Sequence, residues 1–243
     1  PSVTEAIDNK EILNISNSGL LDLDSIDTSC DLISVCLAHN ETGIIQDLEA
    51  VIDIAKYYDA YVHTDAVQAL GRVEMLKKIF DAHMVTLSSH KIGGPLGLGL
   101  LILPEKHNFN PLICGGGQQK GMRSGTQNYP AIVSFAAALE ESMSSIGQWK
   151  NIENLRNFLE SEILKISPDS FVAGKDIKRI PNTSLLSMPG VDSMTQVVAF
   201  DLEGICVSAG SACSSGTVKK SASLKAMKVQ ENHIESVLRV SLG

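Results

Sequence analysis

The chain has 243 residues, of which 44% are apolar and 20% are charged, and its formal net charge is −8. That composition can bury a substantial core, so it excludes a disordered or fibrous protein and allows one large or two modest domains. The 20 Lys and Arg residues are scattered without a basic stripe, which argues against nucleic acid as a partner. No apolar run approaches about 18 residues, and the first residues lack signal-peptide features. We therefore expect a soluble, intracellular protein with no membrane partner.

The five cysteines are odd in number and form no close C-x-x-C pair, so neither a disulfide framework nor a metal site is predicted. We interpret four of them as small hydrophobes buried in the core: Cys30, Cys36, Cys114 and Cys206. Cys213 lies among small residues at 207–217 that cannot bury a thiol deeply. We therefore predict that Cys213 is accessible and reactive.

The first part of the chain alternates strand and helix patterns. Residues 1–31 are polar and carry no recognisable chemistry, whereas 32–38 form an apolar run that predicts a buried strand. Asp47 is placed to cap a helix whose apolar residues recur from Leu48 at helical spacing. A second strand at 60–64 ends in Asp65. A buried carboxylate there needs a partner, either a cationic side chain or a protonated pyridine nitrogen, and both alternatives stay open.

The third predicted strand ends at Lys91, which we interpret as the reactive centre. An apolar run there gives way to two hydroxyls, an imidazole, Lys91 and a glycine pair. Desolvation and nearby positive charge lower a lysine pKa from about 10.4 and make the amine able to form a Schiff base; the alternative is a solvated surface lysine. A fourth strand follows at 98–103. The pattern is typical of a doubly wound α/β domain that binds ligands beyond the carboxyl ends of its strands.

The rest of the chain begins with a glycine-rich segment at 114–126, which we interpret either as an anion-binding loop or as a flexible linker. Helices are predicted at 129–146 and 149–166. Their expected core stripes are Ile132, Phe135, Ala136 and Leu139 in the first helix, and Ile152, Leu155, Leu159 and Ile163 in the second. Strands at 184–188, 205–208 and 237–242 then alternate with short helices. We place a domain boundary near residue 145, which separates a large domain (1–145) from a smaller α+β domain (146–243).

Six motifs, in order along the chain, resemble those of the NifS/IscS-type cysteine desulfurases, which are pyridoxal-phosphate enzymes of the class V aminotransferase group. The motifs are HNETG at 39–43, DAVQ at 65–68, SSHK at 88–91, RSGT at 123–126, SAC at 211–213 and RVSLG at 239–243. The resemblance implies the fold type I of pyridoxal-phosphate-dependent transferases. Its large domain, which is incomplete here, would contain a mainly parallel sheet.

The resemblance also implies roles for the residues that would hold the cofactor. Lys91 would bind pyridoxal 5'-phosphate covalently, Asp65 would pair with the pyridinium nitrogen, and Gln68 would hydrogen-bond the ring hydroxyl. Ser88 and His90 would hold the phosphate.

Thr126 would join the phosphate ligands from the second subunit of a homodimer. Asn40 would contact the cofactor site and, with Arg239, would bind the substrate carboxylate. Cys213 would attack the substrate sulfur, so Lys91, His90 and Cys213 form the implied catalytic set.

The implied activity converts L-cysteine to L-alanine and leaves a persulfide on the enzyme. The persulfide sulfur would pass to an acceptor or iron–sulfur scaffold protein, for cluster assembly or tRNA thiolation, in a bacterial-type cytoplasm or the mitochondrial matrix. The alternatives are a selenocysteine lyase, another class V enzyme, or an inactive truncated scaffold.

Several features depart from the family pattern. Members of the family carry, before the position of residue 1, a phosphate loop and a histidine that stacks on the cofactor, and the 243 residues contain no equivalent. We therefore expect the chain to be a piece of a longer protein that binds pyridoxal phosphate weakly. Gln119, Leu96 and His39 replace an acid, a lysine and an asparagine that are common in the family.

Overall fold

The structure is a computed structural model that describes residues 10–26, 30–74, 76–105, 109–210 and 220–243. Its first sheet has four strands in the order in which they occur along the chain. These strands are β1 (Leu32–Cys36), β2 (Tyr61–Asp65), β3 (Met84–Ser88) and β4 (Gly99–Ile102). The first three strands are parallel, and β4 pairs antiparallel with β3. The predicted, mainly parallel sheet is therefore confirmed.

Helices connect the parallel strands, as the sequence pattern predicts. Helix α1 (Leu48–Tyr57) joins β1 to β2, and the short helix α2 (Leu76–Ile79) lies between β2 and β3. Asp47 caps α1 by accepting a hydrogen bond from the Ala50 amide at 3.2 Å. The buried face of α1 consists of Leu48, Val51, Ile52 and Ala55. Burying this face against the sheet stabilises the crossover at about 25 cal/mol for each Å² of apolar surface removed from water.

The two faces of the first sheet differ in polarity because side chains alternate along each strand. One face is apolar and buried, with Val35, Val62 and Leu87 at its centre. The opposite face carries polar side chains that are half-buried or exposed: Ser34, Cys36, His63, Asp65, Thr86 and Ser88. Half-buried polar side chains on a sheet face can bond both to one another and to a ligand.

Helices α3 (Tyr129–Ser144) and α4 (Trp149–Ile166) have nearly the predicted bounds and are separated by a 3₁₀ turn at Ile146–Gln148. The predicted core stripes, however, are wrong in part. Ile132 is 39% exposed and Leu155 is 56% exposed. Ala136 is also exposed, whereas Phe135 is buried as predicted, together with Ala131.

The buried residues of α4 are charged, which explains why an apolar stripe fails to describe it. Arg179 donates to both carboxylate oxygens of Glu160 at 2.8 Å, and Ser184 donates to the same carboxylate at 2.7 Å. Arg156 donates to the carbonyl of Ile180 at 2.7 Å. The charges are paired and hydrogen-bonded, so they can occupy positions that a hydrophobic pattern would assign to leucine.

The second sheet is antiparallel throughout. It contains β5 (Phe171–Val172), β6 (Thr183–Ser187), β7 (Ser208–Ala209) and β8 (Val237–Ser241), in the spatial order β5-β6-β8-β7. Its helices are α5 (Ser193–Leu202), α6 (Ala222–Ala226) and α7 (Glu231–Glu235). The strands predicted at 184–188 and 237–242 are confirmed. The strand predicted at 205–208 is shorter and begins at Ser208.

The predicted domain boundary near residue 145 falls between α3 and α4 and stays a prediction. Two backbone hydrogen bonds join the two parts of the chain across it: Ile45 donates to Lys178 at 2.9 Å, and Ile180 donates to Gly43 at 2.8 Å. These bonds hold the loop after β1 against the strand-rich C-terminal part. Among the described residues, the helices are all too short or too polar to cross a bilayer.

The expectation that four cysteines are buried is wrong for three of them. Cys36, Cys114 and Cys206 are exposed, whereas Cys30 is half-buried. Cys36 lies on the polar face of β1, Cys114 lies at the start of the glycine-rich segment, and Cys206 lies in the connection between α5 and β7. None of these positions belongs to an apolar face.

Candidate functional site

The candidate site lies at the carboxyl ends of β1, β2 and β3. Cys36, Asp65 and Thr86 are direct neighbours in the register of the three strands. Polar turns follow each strand at 39–43, 66–68 and 88–91. Because carboxyl ends of parallel strands meet at one edge of a sheet, these turns bring their side chains to one location.

Asp65 is the last residue of β2 and is half-buried. Its Oδ1 accepts a hydrogen bond from the Val67 amide at 3.0 Å. None of the salt bridges between described residues involves Asp65. The alternative of a structural ion pair is therefore not supported in the described part of the chain, and the carboxylate retains capacity to accept a hydrogen bond from a ligand.

A hydrogen-bonded row that the sequence analysis missed lies beside Asp65 on the same face of the sheet. Ser34 and Thr86 contact the two ring nitrogens of His63 at 2.8 and 2.7 Å. Burial lowers the pKa of His63, and the Asp65 carboxylate partly opposes that shift. The row joins three strands and holds the imidazole in place next to the carboxylate. The signal in the sequence is a polar residue at every second position of each strand.

Cys36 is not suited to be a nucleophile despite its position beside Asp65. Part of the residue is exposed, but its Sγ contacts the Ala38 carbonyl at 3.3 Å. Burial of the thiol group, assisted by the Asp65 carboxylate, raises its pKa to about 12. Cys36 therefore stays protonated at neutral pH, and the thiol is a weak nucleophile.

Lys91 lies in a 3₁₀ turn at Ser89–Ile92 that directly follows β3. Gly93 ends the turn in the left-handed conformation, with φ of 85°. The amide of Gly94 donates to the Ser89 carbonyl at 3.1 Å, and a Cβ at Gly94 would clash with Ser89 Oγ. The glycine pair therefore permits a tight turn that a larger residue would open.

The side chains of the Lys91 turn differ in exposure. Lys91 and Ser88 are half-buried, whereas His90 is exposed. Ser88 Oγ contacts His90 Nδ1 at 2.9 Å, so the hydroxyl and imidazole form one polar group at the end of β3. Both side chains have remaining hydrogen-bonding capacity, which suits an anion.

Arg72, which the sequence analysis also missed, connects two of these turns. Its Nη1 donates to the Gln68 carbonyl at 2.8 Å, and its Nη2 donates to the Lys91 carbonyl at 2.7 Å. The guanidinium carbon lies 5.9 Å from the centroid of the Trp149 ring. Burial lowers the pKa of Arg72.

Asn40 and Arg239 come together from distant parts of the sequence. Arg239 lies on β8, and its Nη1 donates to the Asn40 carbonyl at 3.3 Å. The Nε of Arg239 is buried and has no partner among the described residues. Leaving a buried donor unpaired costs about 1–3 kcal/mol, and a ligand that accepts a hydrogen bond from this donor of Arg239 would remove the cost.

The loop after β1 is held by further contacts to the C-terminal part of the chain. His39 Nε2 contacts Ser223 Oγ at 3.0 Å, and Ser221 donates to Glu41 at 2.6 Å. Ser221 also caps α6 by accepting from Leu224 at 3.2 Å. The turn that carries Asn40 and the turn that begins α6 are therefore fixed to each other.

The structure does not bring all predicted site residues together. Thr126 is exposed in the glycine-rich segment. This segment is closed by its own bonds, including Ser124 Oγ to Gly116 at 3.0 Å and the Gly125 amide to Gln118 at 3.3 Å. These bonds favour a defined loop over a flexible linker. Cys213 lies outside the described residues.

The groups at the sheet edge have the chemistry that a pyridoxal-type ligand requires. Lys91 provides an amine, Asp65 provides a carboxylate outside any described ion pair, and Ser88 with His90 provides a polar pair suited to phosphate. Arg239 adds a buried donor that has no partner in the described part of the chain. The residues present therefore fit the cofactor. Among the described residues, no three His, Cys, Asp or Glu side chains cluster as metal ligands would.

A mostly parallel sheet with a half-buried lysine in the turn after its third strand is an arrangement found in one class of cofactor-dependent transferases. Residues 9–243 match the model of the family named Aminotransferase class-V. The chain belongs to this family, and the class V resemblance found in the sequence is confirmed. Enzymes of this family are known to depend on pyridoxal phosphate.

Within the family, the chain is similar to cysteine desulfurases. It is 37% identical over 233 residues to a cysteine desulfurase from Cereibacter sphaeroides, covering 94% of this chain and 60% of the relative. A solved NifS-like protein from Rickettsia africae ESF-5 is 34% identical, with a TM-score of 0.83, over 95% of this chain and 63% of that protein. A solved SspA in complex with cysteine is 26% identical, with a TM-score of 0.75, over 99% of this chain and 67% of SspA. The chain spans about 60% of the length of the curated relatives it matches.

Proposed function

We propose that this protein is a pyridoxal-phosphate-dependent cysteine desulfurase, which converts L-cysteine to L-alanine and transfers the sulfur to Cys213. The observation that carries the proposal is the convergence of Lys91, Asp65 and Gln68 on neighbouring strand ends of one sheet. The similarity to desulfurases and to an SspA that was solved with cysteine supports the choice of substrate.

Three side chains would bind the reactive part of the cofactor. Lys91 Nζ would attach to it covalently, Asp65 would accept a hydrogen bond from its ring nitrogen, and Gln68 would contact its ring hydroxyl. The contact between Val67 and Asp65 at 3.0 Å supports this role, because it fixes one carboxylate oxygen and leaves the other available. When bound, the cofactor supplies an electron sink for bonds broken at the substrate.

Anionic groups would bind at both ends of the site. Ser88 and His90 would hold the cofactor phosphate, together with Thr126 of the partner subunit. Arg239 would bind the substrate carboxylate, and its contact to Asn40 at 3.3 Å supports a shared role for these two residues. A planar guanidinium with two free donors can bind a carboxylate at two points.

Cys213 would accept the sulfur. Its thiolate would attack the sulfur of bound L-cysteine, so that an S–S bond forms while the substrate C–S bond breaks. The electron pair of the broken bond stays with the substrate carbon, which takes up a proton to become the methyl group of alanine. The transferred sulfur is oxidised to the sulfane level and the carbon is reduced, so the step balances without a further reagent.

The proposed assembly is a homodimer that delivers sulfur to an acceptor or iron–sulfur scaffold protein. Exposed apolar residues on and around β4 support a subunit interface: Leu96, Leu100, Leu101, Leu112 and Ile113. Exposed apolar side chains of this kind are covered when two subunits associate. We further propose a bacterial-type cytoplasm or the mitochondrial matrix as the location, because the four cysteines in the described part of the chain are free.

The test is alanine formation from L-cysteine by the chain supplied with excess pyridoxal phosphate. Cys213→Ala should abolish persulfide formation and reduce alanine formation in the presence of a thiol acceptor by more than about 100-fold. Cys114→Ala, which removes another exposed cysteine, is the matched control and should have little effect. A Cys213→Ala variant that is as active as the Cys114→Ala variant would contradict the proposal and favour a lyase that needs no persulfide.

A further inference from the structure

We propose that Arg72 is a positioning residue for Lys91, which it holds in a fixed place relative to Gln68. This inference rests on the proposed role of Lys91 as the cofactor lysine. Arg72 itself would touch neither cofactor nor substrate. It would act through the backbone of the two turns that carry their ligands.

The guanidinium of Arg72 divides its donors between two segments of the site. Nη1 donates to the Gln68 carbonyl at 2.8 Å, and Nη2 donates to the Lys91 carbonyl at 2.7 Å. Both bonds are short and charge-assisted. Because the guanidinium is planar and rigid, these two bonds fix the distance between the carbonyls and the orientation of both turns.

Close packing beside Arg72 restricts the same two turns. Gly71 has a φ of 71°, and a Cβ there would lie 2.9 Å from Ser142 on α3 and 3.4 Å from Ile92. The turn that precedes Arg72 therefore lies directly against the Lys91 turn. A shift of one turn must displace the other, unless the two carbonyls separate from Arg72.

Trp149 limits the position of the guanidinium from a third direction. The Arg72 guanidinium carbon lies 5.9 Å from the ring centroid of Trp149, the first residue of α4. An arginine over an aromatic ring at this distance gains a favourable cation–π interaction. Trp149 is the only tryptophan in the chain, so its fluorescence reports on this contact.

Stability alone does not explain this arrangement. No salt bridge between described residues involves Arg72, and its Nε is buried without a partner. A half-buried cation with no carboxylate partner and a buried, unsatisfied Nε is a costly way to join two turns. The geometry is explained if the role of Arg72 is to fix the position of Lys91 relative to Gln68.

The test compares Arg72→Lys and Arg72→Met with Arg156→Lys, a control that changes another arginine bonded to a backbone carbonyl. Each protein is incubated with subsaturating pyridoxal phosphate and reduced with borohydride, and the label on the Lys91 peptide is quantified by mass spectrometry. Both Arg72 variants should label about 10- to 100-fold more slowly than the parent, because an ammonium lacks the rigid fork that places two nitrogens at the two carbonyls, and a thioether has no donor. Arg156→Lys should label like the parent.

A second readout needs no cofactor. In the Arg72 variants, amide hydrogen exchange of residues 89–94 should accelerate and Trp149 fluorescence should change, while exchange in β2 stays slow. Labelling and exchange that are unchanged in Arg72→Lys would overturn the inference. If the parent shows no label on Lys91 even with excess pyridoxal phosphate, the proposed function fails, but faster exchange of 89–94 in the Arg72 variants would still support the role of Arg72 in holding the turn.

Discussion

Replacing Glu160 by Gln should destabilise the protein strongly, because it removes the negative charge that balances the buried positive charge beside it. Glu160 is 4% exposed and accepts three hydrogen bonds, two from Arg179 and one from Ser184. Gln has the same size, but its amide NH₂ would face an arginine donor in place of an acceptor. The Arg179 side chain is 2% exposed, so water cannot replace the lost partner.

The magnitude follows from leaving a buried cation without its counter-ion, which costs about 3–5 kcal/mol of unfolding free energy. The matched control is Glu162→Gln on the same helix. Glu162 pairs with Lys165 at 2.6 Å, but their side chains are 40% and 70% exposed, so removing this pair should cost less than about 1 kcal/mol. Urea unfolding followed by far-ultraviolet circular dichroism measures both changes.

The same prediction has a pH dependence whose sign is fixed. Burial alone would raise the pKa of Glu160, but the hydrogen bonds and charge of Arg179 outweigh it, and the pKa lies below its ordinary value. The carboxylate therefore stabilises the folded chain above the unfolded pKa of about 4.3, and this contribution is lost as the pH falls through the folded pKa. The difference between parent and Glu160→Gln should shrink in acid. A loss below about 1 kcal/mol at neutral pH would refute the reasoning.

Two further predictions test the turns around the site. Gly94→Ala should cost about 1–3 kcal/mol of unfolding free energy, because the new Cβ would clash with Ser89 Oγ. Gly147→Ala is the control and should be nearly neutral, because its Cβ would meet open space. Equal losses of unfolding free energy in the two variants would argue against the tight turn. Burial lowers the pKa of His39, so the unfolded chain binds a proton more readily and stability should fall between about pH 7.5 and about pH 5.5. His39→Asn should reduce that fall, which unfolding measurements at the two pH values would detect; an unchanged slope would contradict the role assigned to burial.

Local patterns were sufficient to predict much of the fold. The apolar run at 32–38 and the spacing of apolar residues after Asp47 depend only on neighbouring residues, and β1 and α1 have the expected places. The edge of the sheet that carries the site could be predicted because the first three predicted strands ended in polar residues and parallel strands have their carboxyl ends at the same edge.

The features that were missed depend on contacts between distant residues. Arg156 and Glu160 occupy buried positions because Arg179 and Ser184 approach them from another part of the chain, and periodicity contains no information about such partners. Arg72 and Lys91 are 19 residues apart, so their contact is equally invisible in a local pattern. The prediction that the cysteines are buried was wrong for a related reason. A residue type indicates average burial, and it does not indicate the face on which a particular side chain lies.

The central claim is that Lys91 is the cofactor lysine, and one measurement tests it most directly. The chain is mixed with excess pyridoxal phosphate, its absorbance is recorded, and the mixture is reduced with borohydride and mapped by peptide mass spectrometry. We predict a long-wavelength absorbance band and a label concentrated on Lys91, both lost in Lys91→Ala and both retained in Lys56→Ala, which changes an exposed lysine of α1. Excess cofactor and chemical trapping make even weak binding visible. A label spread over exposed lysines to the same extent in parent and Lys91→Ala would contradict the account.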